Sequence, residues 1–502
     1  MVSYLNAALG HGKVTQNISR LNLALILVLI GNFLLMAKIT WSQHLLHFND
    51  YGFLNYILSS SKNGMLMRAP LPEDHNHFSV HLHLIFFLLL PFKWLSESGA
   101  LLHFFQSLFL AMGGIPLYFI CKRTGLKTWM TLAVTLSYYG NPYVLRNFMA
   151  FHYEPMVVPL LLGMFAFKLY GRYAWALFLG LAAFSVRDDY ALLVGASSFA
   201  FAVLDRKSFK FWVSYGLMGV FWFFFARTLV MPNMHNPNGI HANLVSGIWG
   251  AYGSSYPEII WYFLSHPFWV LDLLWKSELP RFLSFGLFIP LLSRFSLGVI
   301  PPMVYIATYP ATKGELYYYS SAILLPFFYM GLCEGLSLLQ KMADKLNSGQ
   351  ILGLATTTLC LGLFIDQTLS FRSLNGFSAC FLFQCEQVYP KKERYEFADQ
   401  LLKDKINRHQ ESVAVSAPLF PRVSWRRHLY EARFWEQYKP CWVILDMAGH
   451  SGNLGHDGRE QAKNKLTQSP DYEVDTYQHD YYLFRKKSCA MISNRDELPK
   501  KG

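Results

Sequence analysis

The chain has 502 residues, of which 53% are hydrophobic, 17% aromatic and only 15% charged. Soluble globular domains carry about 25% charged residues, so this deficit, with long apolar runs, excludes an ordinary soluble protein and points to a polytopic membrane protein. The net charge of +12 does not indicate nucleic acid: Lys and Arg collect in short loops between apolar runs, where they act as topology signals, and membrane lipid is the partner implied.

The apolar runs lie at 21–39, 100–120, 128–146, 155–171, 174–186, 190–204, 211–230, 283–293, 296–310, 318–338 and 351–369. The first lacks an A-x-A-type cleavage site and reads as a retained helix. Lys13 and Arg20 precede it. Further basic residues follow the second run (Lys122, Arg123, Lys127), the fourth (Lys168, Arg172) and the sixth (Arg206, Lys207, Lys210). Arg294 lies between the eighth and ninth, and Lys341 and Lys345 follow the tenth. Basic loops thus fall in every second connection. One topology satisfies all of them: a cytoplasmic N-terminus, about eleven spans, and an outer C-terminal region from residue 370 or so. The segment FSVHLHLIFFLLLPFKWL, from Phe78 to Leu95, is apolar enough to span. A span there would put Lys122 and Arg123 outside. Its histidines and Pro91 also suit a juxtamembrane helix in the outer interface.

The stretch AAFSVRDDYALLVG sets Arg187, Asp188 and Asp189 between two apolar runs, and the loops flanking those runs are both basic. A hairpin with the three charges at its outer tip puts both loops inside. Each limb has about 13–15 apolar residues, or roughly 20–23 Å, against a hydrocarbon core of about 30 Å. The tip is therefore expected below the outer membrane surface, in a protein-lined or water-filled chamber.

The same topology places other polar residues on that face. The first outer loop, 40–99, carries Asp50, Glu73, Asp74, His75, His77, His81 and His83. The segment RNFMAFHYEP adds Arg146, His152 and Glu154. The long outer segment 231–280, rich in Asn, Gly, His and Trp, looks like a lid or rim. Lys313, Glu315 and Tyr317–Tyr319 lie near a further outer connection. Blander readings stand beside these. Glu73 alone in a loop fits solvated surface. The histidines of 75–83 fit an interface as well as a metal site, their H-x-H spacing matching no closed zinc site. The charges at 187–189 fit a structural ion pair as well as a ligand site, and the three tyrosines fit an aromatic belt.

From Pro390 the composition turns soluble. KKERYEFADQLLKDKI reads as an amphipathic helix, SVAVSAPLF, PCWVILDMAG and DYEVDTYQHDYYLFRKK as strands, and QAKNKLTQS as another helix. The expected organisation is a transmembrane domain at 1–369, a linker at 370–389, a small extracytoplasmic α/β domain at 390–487 and a polar tail at 488–502. Seven cysteines show no C-x-x-C. Cys380 and Cys385 are placed to pair if their segment is extracytoplasmic.

HFNDYGFLNYIL, HFSVHLHLIFFLLLPF, FHYEPMVVPLLL, VRDDYALLV and YYYSSAILLPF, in this order, resemble the signature blocks of an uncharacterised prokaryotic membrane family, domain of unknown function 2079. Tyr318 stands where that pattern has a His before Tyr-Ser. The family in turn resembles the GT-C class of polytopic glycosyltransferases. The resemblance implies an α-helical membrane fold with outer juxtamembrane helices, in the cytoplasmic membrane of a prokaryote. It implies a polyprenyl-phosphate-linked sugar donor as partner, an acceptor it does not identify, and transfer at the outer face. By position, Asp50 would be the general base or metal ligand and Arg187 the cation meeting the donor phosphate, with Asp74 second to Asp50. Asp188 and Asp189 would either hold the Arg187 fork or bind a divalent cation, Mg or Mn. His77, His152 and Glu154 would line the chamber, and Asp50, Asp74 and His75 are the metal-ligand candidates. Arginine presents a planar donor fork to phosphate oxygens, and transfer with inversion needs a carboxylate to take the acceptor's proton. A transporter or flippase of lipid-linked or polar cargo is the competing reading, and a non-enzymatic scaffold or sensor a third. The clustering of charge on one face counts against transport through the bilayer.

Overall fold

The computed structural model describes residues 13–489, apart from 43–48, 63, 70–75, 97–98, 149–150, 235–248, 310–313, 315, 317–318, 346–391, 407–410, 417–418, 420–422, 424–427 and 448–455. Most of the chain is helical. In order come α1 (Lys13–Ser42), α2 (Asn49–Lys62), α3 (Phe86–Leu95), α4 (Ala100–Met112), α5 (Gly114–Thr124), α6 (Thr128–Gly140), α7 (Pro142–Phe148) and α8 (Val157–Leu169). Then follow α9 (Tyr173–Phe184), α10 (Asp188–Leu204), α11 (Phe209–Phe225), α12 (Tyr256–Ser265), α13 (Pro267–Lys276), α14 (Leu279–Ser284), α15 (Ile300–Thr308) and α16 (Leu325–Lys345). Among the described residues, the stretches Ala100–Thr124 and Arg206–Asn233 are long and apolar enough to cross a membrane.

The apolar run 283–293 departs from expectation. It forms short turns instead of a span: Leu287 and Phe288 take left-handed backbone, and a 3₁₀ turn covers Ile289–Leu292. Eleven residues with Gly286 and Pro290 inside cannot hold a helix across a bilayer core. The last run, 351–369, and the linker 370–389 lie outside the described residues, as do Cys380 and Cys385. The Phe78–Leu95 segment begins in a 3₁₀ turn (His77–Ser79), is extended around His81 and is α-helical only as α3. At ten residues, or about 15 Å, α3 is too short to span, and its Lys93 is buried and donates to Asn55 Oδ1 at 2.8 Å.

Close approach of α10 to α11 organises the site. A Cβ added to Gly219 would strike the Ala191 carbonyl, and one added to Gly195 would stand 3.1 Å from Gly216 O. Glycine at these positions lets the two backbones touch, as small residues do between membrane helices. The contact aligns the start of α10, at Asp188, with the π-helical continuation of α11, Ala226–Val230, where Arg227 sits.

The C-terminal unit contains α17 (Lys392–Lys405), α18 (His456–Gln468) and a five-stranded sheet, ordered β2 (Leu429–Glu431), β1 (Val413–Val415), β3 (Trp442–Asp446), β5 (Tyr481–Lys486), β4 (Tyr472–Gln478). β1 pairs parallel with β2 and β3, and β5 antiparallel with β3 and β4. The expected strands and helices are present. β2 was not foreseen, since three residues are too few to show a period. Cys441 and Cys489 form a disulfide. Tyr56 of α2 is buried in the same apolar cluster as Leu401, Val413 and Leu483, so this unit packs directly on α2.

Candidate functional site

The turn between α9 and α10 is the centre of the site. The two helices have 12 and 17 residues, or about 18 and 26 Å, so both limbs are shorter than a bilayer core. Arg187 is extended, at φ −159° and ψ 137°, and Asp188 and Asp189 occupy the first turn of α10, where carboxylates suit the positive end of the helix dipole.

Each of these carboxylates has a separate cation. Asp188 is fully buried. Its Oδ2 accepts from Arg227 Nε at 2.6 Å, and its Oδ1 accepts from Leu82 N at 3.1 Å and lies 3.3 Å from His81 Nδ1. Asp189 Oδ1 is 3.0 Å from Arg187 Nε, and its Oδ2 accepts from Tyr305 OH at 2.6 Å. Arg187 Nη1 donates to Glu154 Oε1 at 3.2 Å, while Nη2 donates to Tyr305 OH at 3.3 Å and lies 3.4 Å from His81 Nε2. Glu154 Oε2 in turn lies 3.3 Å from His152 Nδ1. Burial pushes the Glu154 carboxyl up. The hydrogen bond and charge of His152, once its imidazole is protonated, and the charge of Arg187 outweigh this and hold it below the usual carboxylate range. His152 stacks on Tyr319 with ring centroids 3.8 Å apart, and its N–H donates to Gln106 Oε1 at 3.0 Å.

These groups open onto one cavity of about 210 Å³. Its charged and imidazole lining comes from His77, His81, His152, Glu154 and Arg187. Tyr190, Tyr305, Tyr309 and Tyr319 provide aromatic walls, and Phe53 and Leu54 reach it from α2. Of the expected site residues, His77, His152, Glu154 and Arg187 therefore meet at the cavity. Asp188 and Asp189 stand behind it, holding Arg227, His81 and Arg187. Asp50 is in the first turn of α2, three and four positions before Phe53 and Leu54; its side chain lies outside the described residues, as do Asp74 and His75 altogether. Among the described residues no group of three or more His, Cys, Asp and Glu side chains could hold a metal ion; the candidates Asp50, Asp74 and His75 have side chains outside the described residues.

Three participants were not singled out from the sequence. His81 and His83 look alike in HLH, yet His81 lines the cavity, while His83 is buried against Tyr153 and Phe86 with ring centroids 4.5 and 4.4 Å away. Tyr305 and Arg227 sit near the ends of apolar runs, where a tyrosine or arginine is ordinary. Only the rarity of a cation inside such a run could have marked Arg227.

The chain belongs to the family described as predicted membrane protein DUF2079, whose model matches residues 42–483. Among solved structures, it is similar to ArnT from Cupriavidus metallidurans bound to undecaprenyl phosphate. The match covers 92% of this chain and 98% of that one at 10% identity, with a TM-score of 0.52. The likeness shows the fold. No curated protein matches the sequence.

Proposed function

We propose that the protein transfers a sugar from a polyprenyl-phosphate donor to an acceptor at the outer face of a prokaryotic cytoplasmic membrane. The observation that carries this reading is the convergence of Arg187, His81, His152 and Glu154, from three separate parts of the chain, on one aromatic-walled cavity. The bound undecaprenyl phosphate of the similarly folded ArnT supports a lipid phosphate as the ligand class.

In this reading the donor phosphate meets the Nη2 edge of Arg187. That edge makes the two longest contacts of the guanidinium, at 3.3 and 3.4 Å, so it yields most readily to a charged acceptor. The tyrosines offer flat apolar faces edged with hydroxyls, a surface suited to a sugar ring. Asp50, on the helix that brings Phe53 and Leu54 to the cavity, takes the proton from the acceptor hydroxyl. The acceptor oxygen attacks the anomeric carbon, and the bond from that carbon to the phosphate oxygen breaks with its electron pair on the oxygen. The disulfide Cys441–Cys489 supports an oxidising compartment for the C-terminal unit, and the packing of that unit on Tyr56 of α2 supports the same compartment for the site.

Binding to the purified full-length protein tests the donor half. Undecaprenyl phosphate is expected to bind at least tenfold more tightly than undecaprenol, and Arg187→Ala is expected to erase the difference. A charged hydrogen bond of about 1.5–3 kcal/mol sets that scale. Equal binding of alcohol and phosphate would remove the basis for a lipid-phosphate donor. Transfer assays with Asp50→Asn then test the base: undiminished turnover rejects its assignment.

A further inference from the structure

Among the described residues, the charges around the cavity do not balance. Glu154, Asp188 and Asp189 are three buried carboxylates facing two guanidiniums, Arg187 and Arg227. Asp188 has Arg227 to itself at 2.6 Å. Arg187 is shared between Glu154 and Asp189, at 3.2 and 3.0 Å. The uncompensated charge therefore lies on the Glu154–Arg187–Asp189 group, and Arg187 enters any encounter with a phosphate already claimed on both sides. An anion brought there would add charge to a site that carries one negative charge too many, at a buried position where repulsion is weakly screened.

One group is placed to correct this. His152 Nδ1 lies 3.3 Å from Glu154 Oε2, on the opposite carboxylate oxygen from the one that Arg187 contacts, and its side chain is 9% exposed. Histidine is the side chain whose charge changes most readily near neutral pH. We propose, resting on the lipid-phosphate reading above, that His152 takes up a proton when a phosphate binds at Arg187. The imidazolium then balances Glu154, and the guanidinium turns its charge to the phosphate. His152 is a positioning residue in this scheme: it acts through Glu154 on Arg187.

The other titratable groups facing His152 do not serve as well. Tyr319, stacked on its ring, and Tyr305, which donates to Asp189, are neutral near pH 7. Gln106, which holds the His152 backbone, does not titrate. His81 faces the same cavity, but its Nδ1 is beside Asp188, a carboxylate already matched by Arg227. A proton on His81 would stand 3.4 Å from Arg187 Nη2 and repel it. His77 also lines the cavity and is a control in the experiment below.

The test is the affinity of the full-length protein for undecaprenyl phosphate between about pH 6 and pH 8, the window of imidazole titration. The wild type is expected to bind more weakly as pH rises, approaching tenfold per pH unit above the His152 titration, as one coupled proton requires. The ligand's own second ionisation, near pH 6 for a phosphate monoester, also adds charge as pH rises, and the His152→Gln variant, which keeps that ionisation, separates the two sources of a slope. Two substitutions move in opposite directions. His152→Gln is expected to bind weakly at every pH with no slope, because Glu154 keeps its hold on Arg187. Glu154→Gln is expected to bind tightly at every pH with no slope, because the excess charge is gone. A wild-type slope retained in His152→Gln, or abolished by His81→Gln or His77→Gln instead, overturns the proposal and leaves the lipid-phosphate reading standing. Equal binding of undecaprenol and undecaprenyl phosphate overturns both.

Discussion

Helix α10 carries an ionic cluster at each end, and the two differ in kind. At the C-terminal end, Asp205 accepts from Lys168 Nζ and, at 3.1 Å, from Trp212 Nε1. Arg294 bridges it to Glu334, with both contacts at 3.3 Å. Two carboxylates meet two cations there, and none of the four residues lines the cavity. At the N-terminal end, among the described residues, three carboxylates meet two cations, and an arginine, a glutamate and two histidines of the cluster face open space. A balanced, closed network fits a structural fastening. An unbalanced one that opens onto a cavity can be completed by a ligand or a proton. Buried charge by itself therefore distinguishes neither end; charge count and access do.

The largest test of this contrast is Asp205→Ala. It leaves Lys168 and Arg294 without their shared carboxylate, and breaking a buried pair from one side costs about 3–5 kcal/mol. Thermal unfolding in detergent should show a large loss of stability, and an unchanged unfolding temperature would remove the fastening role. Arg187→Gln is expected to behave differently. Undecaprenyl phosphate binding should fall by about 10–100-fold, the scale of one charged hydrogen bond, with a smaller loss of stability than at Asp205. If stability falls further than for Asp205→Ala, the N-terminal cluster is the fastening and the contrast fails.

Gly219→Ala probes what joins the two ends. The added methyl meets the Ala191 carbonyl, and overpacking of this kind costs about 1–3 kcal/mol. Because Asp188 and Arg227 sit on the two helices it would push apart, ligand binding should weaken along with stability. Loss of stability alone would show that the N-terminal pairing does not depend on the glycine contact. Least affected should be Lys127→Ala. Its pair with Asp344 is 40% and 49% exposed, and such surface pairs contribute about 0–1 kcal/mol. A change in unfolding temperature matching that of Asp205→Ala would break the distinction between buried and exposed charge on which the comparison rests.

Much of the fold was legible in the sequence, because hydropathy and loop charge act locally. The short hairpin around Arg187 followed from two limb lengths and two basic loops, and the expected C-terminal strands from short runs rich in β-branched and aromatic residues. The run at 283–293 misled because composition alone does not register how Gly286 and Pro290 break a helix. At the site, Arg187, His152 and Glu154 stood out as charged or polar residues in outer turns. His81 did not, since nothing in HLH distinguishes the imidazole that reaches a cavity from the one packed among rings.

Local sequence thus determined that three charges would sit together at the turn of a short hairpin. It did not determine their partners. Asp188 finds Arg227 across 39 positions and His81 across 107, and Arg187 finds Glu154 across 33. Such pairings depend on how helices pack, here on glycine contacts that set α10 against α11. The tertiary structure alone decided that Asp188 would hold Arg227 and Asp189 would hold Arg187. It also left Arg187 shared with Glu154, because ion pairs follow distances in space, and those are fixed only when the helices have met.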